Sequence, residues 1–272
     1  MTKYILLLLF TLTCFSQQKQ GIVNYGYINS IFQGEKQGDE YNAQLTFDGK
    51  RSYFVSEKDS LETITDNTIA KPVFTESNGE NGTVGTINLN NSELYTNFVG
   101  NQVYFDSEKD SLWSYLIGGM GNMYVKEKRP TIKWKFEKET KKIGNYTCNK
   151  VTSTFRGRDY TVWYTKAIPI PYGPWKFNGL PGLVLEGYDS EYKIYFYFKN
   201  MEYPLKKEIK IDFIKEDIEE KFSRWFSYKD YLAHANYLIE REYENMLMIA
   251  KDHPKFIPTK QKINQQYIEI AE

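Results

Sequence analysis

Between Gly21 and about Lys199 the chain alternates apolar and polar positions with a period of two. Tyr41, Ala43, Leu45 and Phe47 alternate with Asn42, Gln44 and Thr46, and after Asp48-Gly49 the pattern resumes at Arg51, Tyr53 and Val55. Two alternating runs joined by Asp-Gly predict a β-hairpin. Ile132, Trp134 and Phe136 alternate with Lys133, Lys135 and Glu137, which predicts a strand with one buried and one wet face. Tyr160–Tyr164 reads as another strand, reached through Arg156-Gly157-Arg158. In the next, Tyr192, Ile194, Phe196 and Phe198 oppose Lys193, Tyr195, Tyr197 and Lys199. Leu183-Val184-Leu185 is apolar on both faces and predicts a central strand. Ile209, Ile211 and Phe213 give the last alternating run.

After Glu216 the period lengthens. Tyr231, Ala235, Leu238, Glu242, Met246 and Ile249 step by three or four, with Leu232 and Ile239 beside them. This spacing predicts an amphipathic helix over 228–251, ending before Pro254. Ser227 with Asp230 resembles a capping box, Asp standing where Glu or Gln is usual. The polar side mixes Glu240, Arg241, Glu242 and Glu244, which suits solvent better than a membrane surface. The expected fold is therefore α+β: a large, twisted antiparallel β-sheet packed against a long C-terminal amphipathic helix. Residues 17–215 would form the sheet and 216–272 the helical region.

The first sixteen residues follow a different pattern. Lys3 precedes an apolar run from Tyr4 to Leu12, followed by small and polar residues. This is the layout of a signal peptide, and the run is short for a membrane span. Cleavage after Ser16 would release the chain to the periplasm or outer envelope with no transmembrane span. The alternative is acylation of Cys14, although Thr11 and Thr13 stand where a lipoprotein signal prefers Leu and a small residue. Cleavage leaves one cysteine, Cys148, and so no internal disulfide. Composition agrees with a sheet protein: 23 Tyr outnumber 18 Leu, five of which lie in the first twelve positions. With 35 basic and 35 acidic side chains there is no electrostatic footprint for nucleic acid.

Two windows repeat, YFVSEKDSL at 53–61 and YFDSEKDSL at 104–112, and read as a recurring strand–turn element with an exposed charged loop. The densest information lies in 165–200. Pro169, Pro171 and Pro174 predict an extended crossing segment. Tyr172, Trp175 and Phe177 on it either close the core or line a ligand groove. Leu180-Pro181-Gly182-Leu183 fits a type II turn with Gly182 at positive φ. The run from Lys141 to Glu186 closely resembles the GLPGLI family of exported proteins of Bacteroidota, whose motif stands here as Gly179-Leu180-Pro181-Gly182-Leu183-Val184. Tyr146-Thr147-Cys148-Asn149-Lys150, Phe155-Arg156-Gly157-Arg158 and Gly173-Pro174-Trp175 share the family's pattern. The resemblance implies export and supplies no mechanism, because the family has no established activity.

Little chemistry is legible. There is no G-x-S-x-G, H-E-x-x-H, P-loop or EF-hand run, and no catalytic residue, metal ligand set or cofactor is assigned. His234 and His253 are too far apart for one metal site on a helical turn. Lys150 could lower the Cys148 thiol pKa if both were exposed on one face; burial as a small hydrophobe is the other reading. Glu186, Asp189 and Glu191 cluster around a predicted turn. The leading expectation is a non-enzymatic envelope protein that binds an apolar small molecule, a peptide or an envelope protein in a groove at Tyr172, Trp175 and Phe177. The alternative is an envelope enzyme or metal-handling protein using Cys148, His234 or the three carboxylates.

Overall fold

The structure is a computed structural model that describes residues 19–31, 39–62, 73–79, 82–88, 96–118, 121–215, 224–253, 255–263 and 268–271. The leader and Cys14 lie outside these residues. In chain order the strands are β1 (Gly21–Asn29), β2 (Asp39–Phe47), β3 (Arg51–Ser56), β4 (Val73–Gly79), β5 (Gly82–Asn88), β6 (Asn101–Asp106) and β7 (Ser111–Gly118). They continue as β8 (Gly121–Lys128), β9 (Lys135–Ile143), β10 (Tyr146–Phe155), β11 (Arg158–Thr165), β12 (Leu183–Asp189), β13 (Ile194–Glu202) and β14 (Trp225–Phe226), followed by helix α1 (Tyr228–Asp252). Twelve strands form one sheet in the order β14-β8-β7-β6-β3-β2-β1-β13-β12-β11-β10-β9, and β4 pairs with β5 apart from it. The fold is α+β, as the two periodicities predict. The sheet is mixed, because β14 joins β8 in parallel.

The segment between β11 and β12 fills the interior. Tyr172 packs against Phe105 of β6, Trp175 against Phe155 of β10 and Tyr160 of β11, and Phe177 against Phe196 of β13. Because β6 and β10 belong to opposite halves of the strand order, the sheet must curl for both to reach this one segment. Each buried ring contributes roughly 1.5–3 kcal/mol relative to exposure. The core is thus closed by this segment, one of the two roles expected of its three rings.

Helix α1 begins as predicted, with the Ser227–Asp230 capping box formed in both directions. Its first half buries Tyr228, Tyr231, Ala235 and Ile239 against β7 and β8, and Leu238 is buried beside them in sequence. The expected face does not continue: Met246 is half-exposed and Ile249 exposed, so the helix covers one end of the sheet only.

Other expectations are corrected locally. Ile209–Phe213 forms no strand, because the Gln20 side chain takes the place of a neighbouring backbone: its Nε2 donates to the Ile209 carbonyl at 3.0 Å and its Oε1 accepts from the Ile209 amide at 2.8 Å. Ile132 and Trp134 keep the predicted inward face, but Phe136 on the charged edge strand β9 is exposed. The repeated windows lie side by side as β3 and β6, with Tyr53 opposite Tyr104. In the first copy Glu57 is buried and accepts hydrogen bonds from Asn29, Asn101 and Ser56, whereas its counterpart Glu108 in the second copy is exposed.

Candidate functional site

The outer face of β11–β13 carries a row of aromatic rings. Phe196 of β13 points inward and stacks on Tyr27 at 4.6 Å, so the alternation turns Tyr195 and Tyr197 outward. Register sets Trp163, Glu186 and Tyr197 in one cross-strand row and Thr161, Tyr188 and Tyr195 in the next. Tyr192, in the β12–β13 turn at φ +53°, stacks on Tyr188 with ring centroids 4.8 Å apart and planes 12° from parallel. Tyr195 meets Tyr188 edge-on at 5.6 Å, and Tyr197 lies 5.6 Å further along. Tyr192 is 60% exposed.

A fringe of paired charges surrounds these rings. Lys141 Nζ sits 2.6 Å from Glu186 Oε1 and 4.5 Å above the Trp163 ring. Lys150 pairs with Glu139 at 3.1 Å, and Lys193 with Glu191 at 2.8 Å. Lys199 lies 3.3 Å from Glu40 and donates to Asn42 at 2.9 Å, while the Tyr197 hydroxyl donates to Glu40. Burial pushes Tyr195 and Tyr197 up to about 12, with Glu186 and Glu40 adding to the rise. Both stay neutral. The Trp163 indole Nε1–H, at the floor of the row, is buried without a hydrogen-bond partner.

Beneath the opposite face lies a buried ionic node. Arg156 and Gly157 form the two-residue β10–β11 turn, both at positive φ (+53° and +80°), as a type I′ hairpin requires. The Arg156 guanidinium pairs with Glu127 of β8 and lies 3.4 Å over the Tyr228 ring. Lys176 Nζ is 2.7 Å from Glu127 Oε1 and 2.7 Å from Glu269 Oε1. Glu269 also lies 3.5 Å from Arg156 Nε. Two cations and two carboxylates therefore compensate one another, which offsets the desolvation cost of burying them. The chain's last described residues are drawn in with them: Ile268 accepts from Arg158 Nε at 3.1 Å, Ile270 donates to Arg156 at 3.1 Å and Ala271 accepts from Tyr228 at 2.9 Å. Arg158 also holds Asp189 at 3.2 Å, and Asp189 accepts the Ile194 amide at 2.9 Å, which ties the node to the turn that presents Tyr192.

The structure distributes the sequence-predicted residues between these two layers. Tyr172, Trp175 and Phe177 are 3%, 6% and 1% exposed and lie in the core, where Trp175 meets Phe177 edge-on. In the hexapeptide Gly179 carries the positive φ (+80°), whereas Gly182 does not. A Cβ on Gly182 would lie 2.1 Å from the Thr165 carbonyl oxygen, so its role is close approach rather than a type II turn. Gly173 is packed the same way against Val184, next to Pro174, while Leu180 and Leu183 are core residues; Pro181 is exposed.

Cys148 is buried, and burial pushes its thiol up to about 11. The amine that opposes this rise is Lys141, not Lys150, which is engaged with Glu139. His234 is exposed on α1 beside Tyr237. Glu186, Asp189 and Glu191 do not converge, each having its own cation: Lys141, Arg158 and Lys193. Among the described residues no group of three or more His, Cys, Asp or Glu is placed to hold a metal ion, and no helix is long and apolar enough to cross a membrane. Sequence reasoning missed the node, because Glu127, Lys176 and Glu269 are far apart along the chain. The one local signal was a lysine set between two core aromatics.

Residues 156–186 match the model of a family described as a protein of unknown function (Porph_ging). That stretch contains Arg156, Lys176, Trp163 and Glu186, and so contributes to both layers. No curated protein matches the chain. Among solved structures it is similar to two of PNGF-II in different space groups, each with a TM-score of 0.44, at 13% and 12% identity. The likeness covers 78% of this chain and 32% of each of those, so the chain spans about a third of their length.

Proposed function

We propose that this chain is an exported, non-enzymatic binding protein of the cell envelope, of GLPGLI type, that meets its ligand on the outer face of β11–β13. The observation that carries the reading is the row of Tyr188, Tyr192, Tyr195 and Tyr197 beside Trp163, on a sheet face with a highly exposed ring. Rigid aromatic side chains lose little conformational freedom on binding and give much contact area. The buried node supports this role, since it fixes the turn that carries Tyr192 through Arg158 and Asp189. The leader-like first sixteen residues support export. Against a reactive thiol stands the raised Cys148 pKa, which keeps it protonated at neutral pH.

Two measurements test the reading. N-terminal sequencing of the protein from its native cell envelope should begin at Gln17; retention of Met1 would refute export. Immobilised protein should retain envelope components that a Tyr192→Ala/Tyr197→Ala variant of unchanged thermal stability does not. Identical mass spectra of the two eluates would refute the site.

A further inference from the structure

We infer that the outer aromatic face takes a neutral glycan chain, an inference that rests on the binding role proposed above and names its ligand class. One ring keeps a π-face open to solvent. Tyr192 stacks on Tyr188 by one face and is otherwise exposed. Tyr197 lies over Gly26, where an added Cβ would meet its ring at 2.1 Å, and the Lys199 ammonium stands 5.6 Å from its ring centroid. Tyr195 stands between them, 6.4 Å from Tyr192 and 5.6 Å from Tyr197, and is nearly perpendicular to Tyr192. An open ring face at one end of a short aromatic row suits a ligand with a flat, weakly polar unit. A pyranose offers such a unit: its axial C–H groups make an apolar face that packs on an aromatic ring, while its equatorial hydroxyls stay at the rim.

The rim supplies what those hydroxyls need. Glu186, Glu40 and Asn42 lie beside the rings as acceptors, and the Asn24–Gln44–Asn200 amide ladder continues the same polar surface. Charge decides among ligand classes. Lys141, Lys150, Lys193 and Lys199 are each already within ion-pair distance of a carboxylate. The face therefore has no uncompensated lysine among these four to draw an anionic polymer, and burial keeps Tyr195 and Tyr197 neutral. A purely apolar ligand would strip water from the carboxylates and amides without replacing their hydrogen bonds.

Native electrophoresis of the chain from residue 17 onward, through gels containing hydroxyethylcellulose, glucomannan, xyloglucan or dextran, with alginate as the anionic counterpart, tests the inference. At least one neutral polymer should retard the protein. Tyr192→Ala should weaken that retardation roughly tenfold, the equivalent of one stacked ring, and Tyr192→Phe should restore it, since the ring and not the hydroxyl makes the contact. Retardation by alginate alone, or an unchanged Tyr192→Ala variant, overturns the inference. No retardation by any neutral polymer also overturns it; if the envelope retention described above still depends on Tyr192 and Tyr197, the binding role stands and only the glycan class fails.

Discussion

Two glycines in one six-residue motif do different work, and single substitutions separate them. An alanine methyl at Gly182 would meet the Thr165 carbonyl at 2.1 Å, backbone against backbone, with nothing flexible to yield. Gly179→Ala meets no atom within 4 Å and bears only the positive φ. We expect Gly179→Ala to cost about 1–2 kcal/mol and Gly182→Ala to reach or pass the top of the ~1–3 kcal/mol overpacking range, measured by urea unfolding. A second prediction at this scale concerns Glu57. Burial raises its pKa above the ordinary 4.5, with the hydrogen bonds from Asn101, Asn29 and Ser56 opposing the rise. The folded state thus binds this proton more tightly than the unfolded chain. The group's contribution to stability is full below the unfolded value and is lost as pH rises through the folded one. Stability measured against pH should lose that falling component in Glu57→Gln; identical profiles would contradict the assignment.

At the scale of elements, local chemistry was legible wherever it was decisive locally. Asp48-Gly49 forms the β2–β3 hairpin, Asp48 accepting from the Lys50 and Arg51 amides at 2.8 and 2.7 Å. Ser227 and Asp230 start α1. Ser227→Ala should destabilise the chain by about 1 kcal/mol, seen as a lower midpoint of thermal unfolding with the sheet spectrum unchanged. Legibility failed where a distant residue decides. Ile209 and Ile211 alternate like a strand, yet the backbone there is satisfied by a side chain from Gln20, and no pattern within the segment reports this. The apolar stripe of α1 continues to Ile249, but β8 and β14 offer surface only to its first turns, so the later residues stay exposed. Tyr195 and Tyr197 were visible as the polar-side members of an alternating strand, whereas Tyr192 stood in its apolar set and is exposed because it precedes β13, in the turn. Their grouping with Trp163 needed the β11–β12–β13 register.

At the scale of the whole molecule, the sheet is held in its curl by charges that come from both of its halves and from the chain's end. Glu127 of β8, Arg156 beyond β10, Lys176 of the crossing segment and Glu269 near the terminus meet where one sheet end approaches the other. Lys176→Met leaves two buried carboxylates facing one arginine, and breaking a buried network in this way costs about 3–5 kcal/mol. The loss should appear in urea unfolding, together with faster hydrogen exchange at Ile270, whose amide donates to Arg156. Loss of stability without faster exchange there would place the effect elsewhere.

The central claim is that the outer tyrosine face is a binding surface occupied in the protein's own compartment. Hydroxyl-radical footprinting of the protein in intact cell envelope, against the purified chain, tests it most directly. Occupancy predicts that Tyr192, Tyr195 and Tyr197 are protected in the envelope while Tyr237, exposed on α1, is oxidised equally in both. Equal oxidation of all four tyrosines would contradict it.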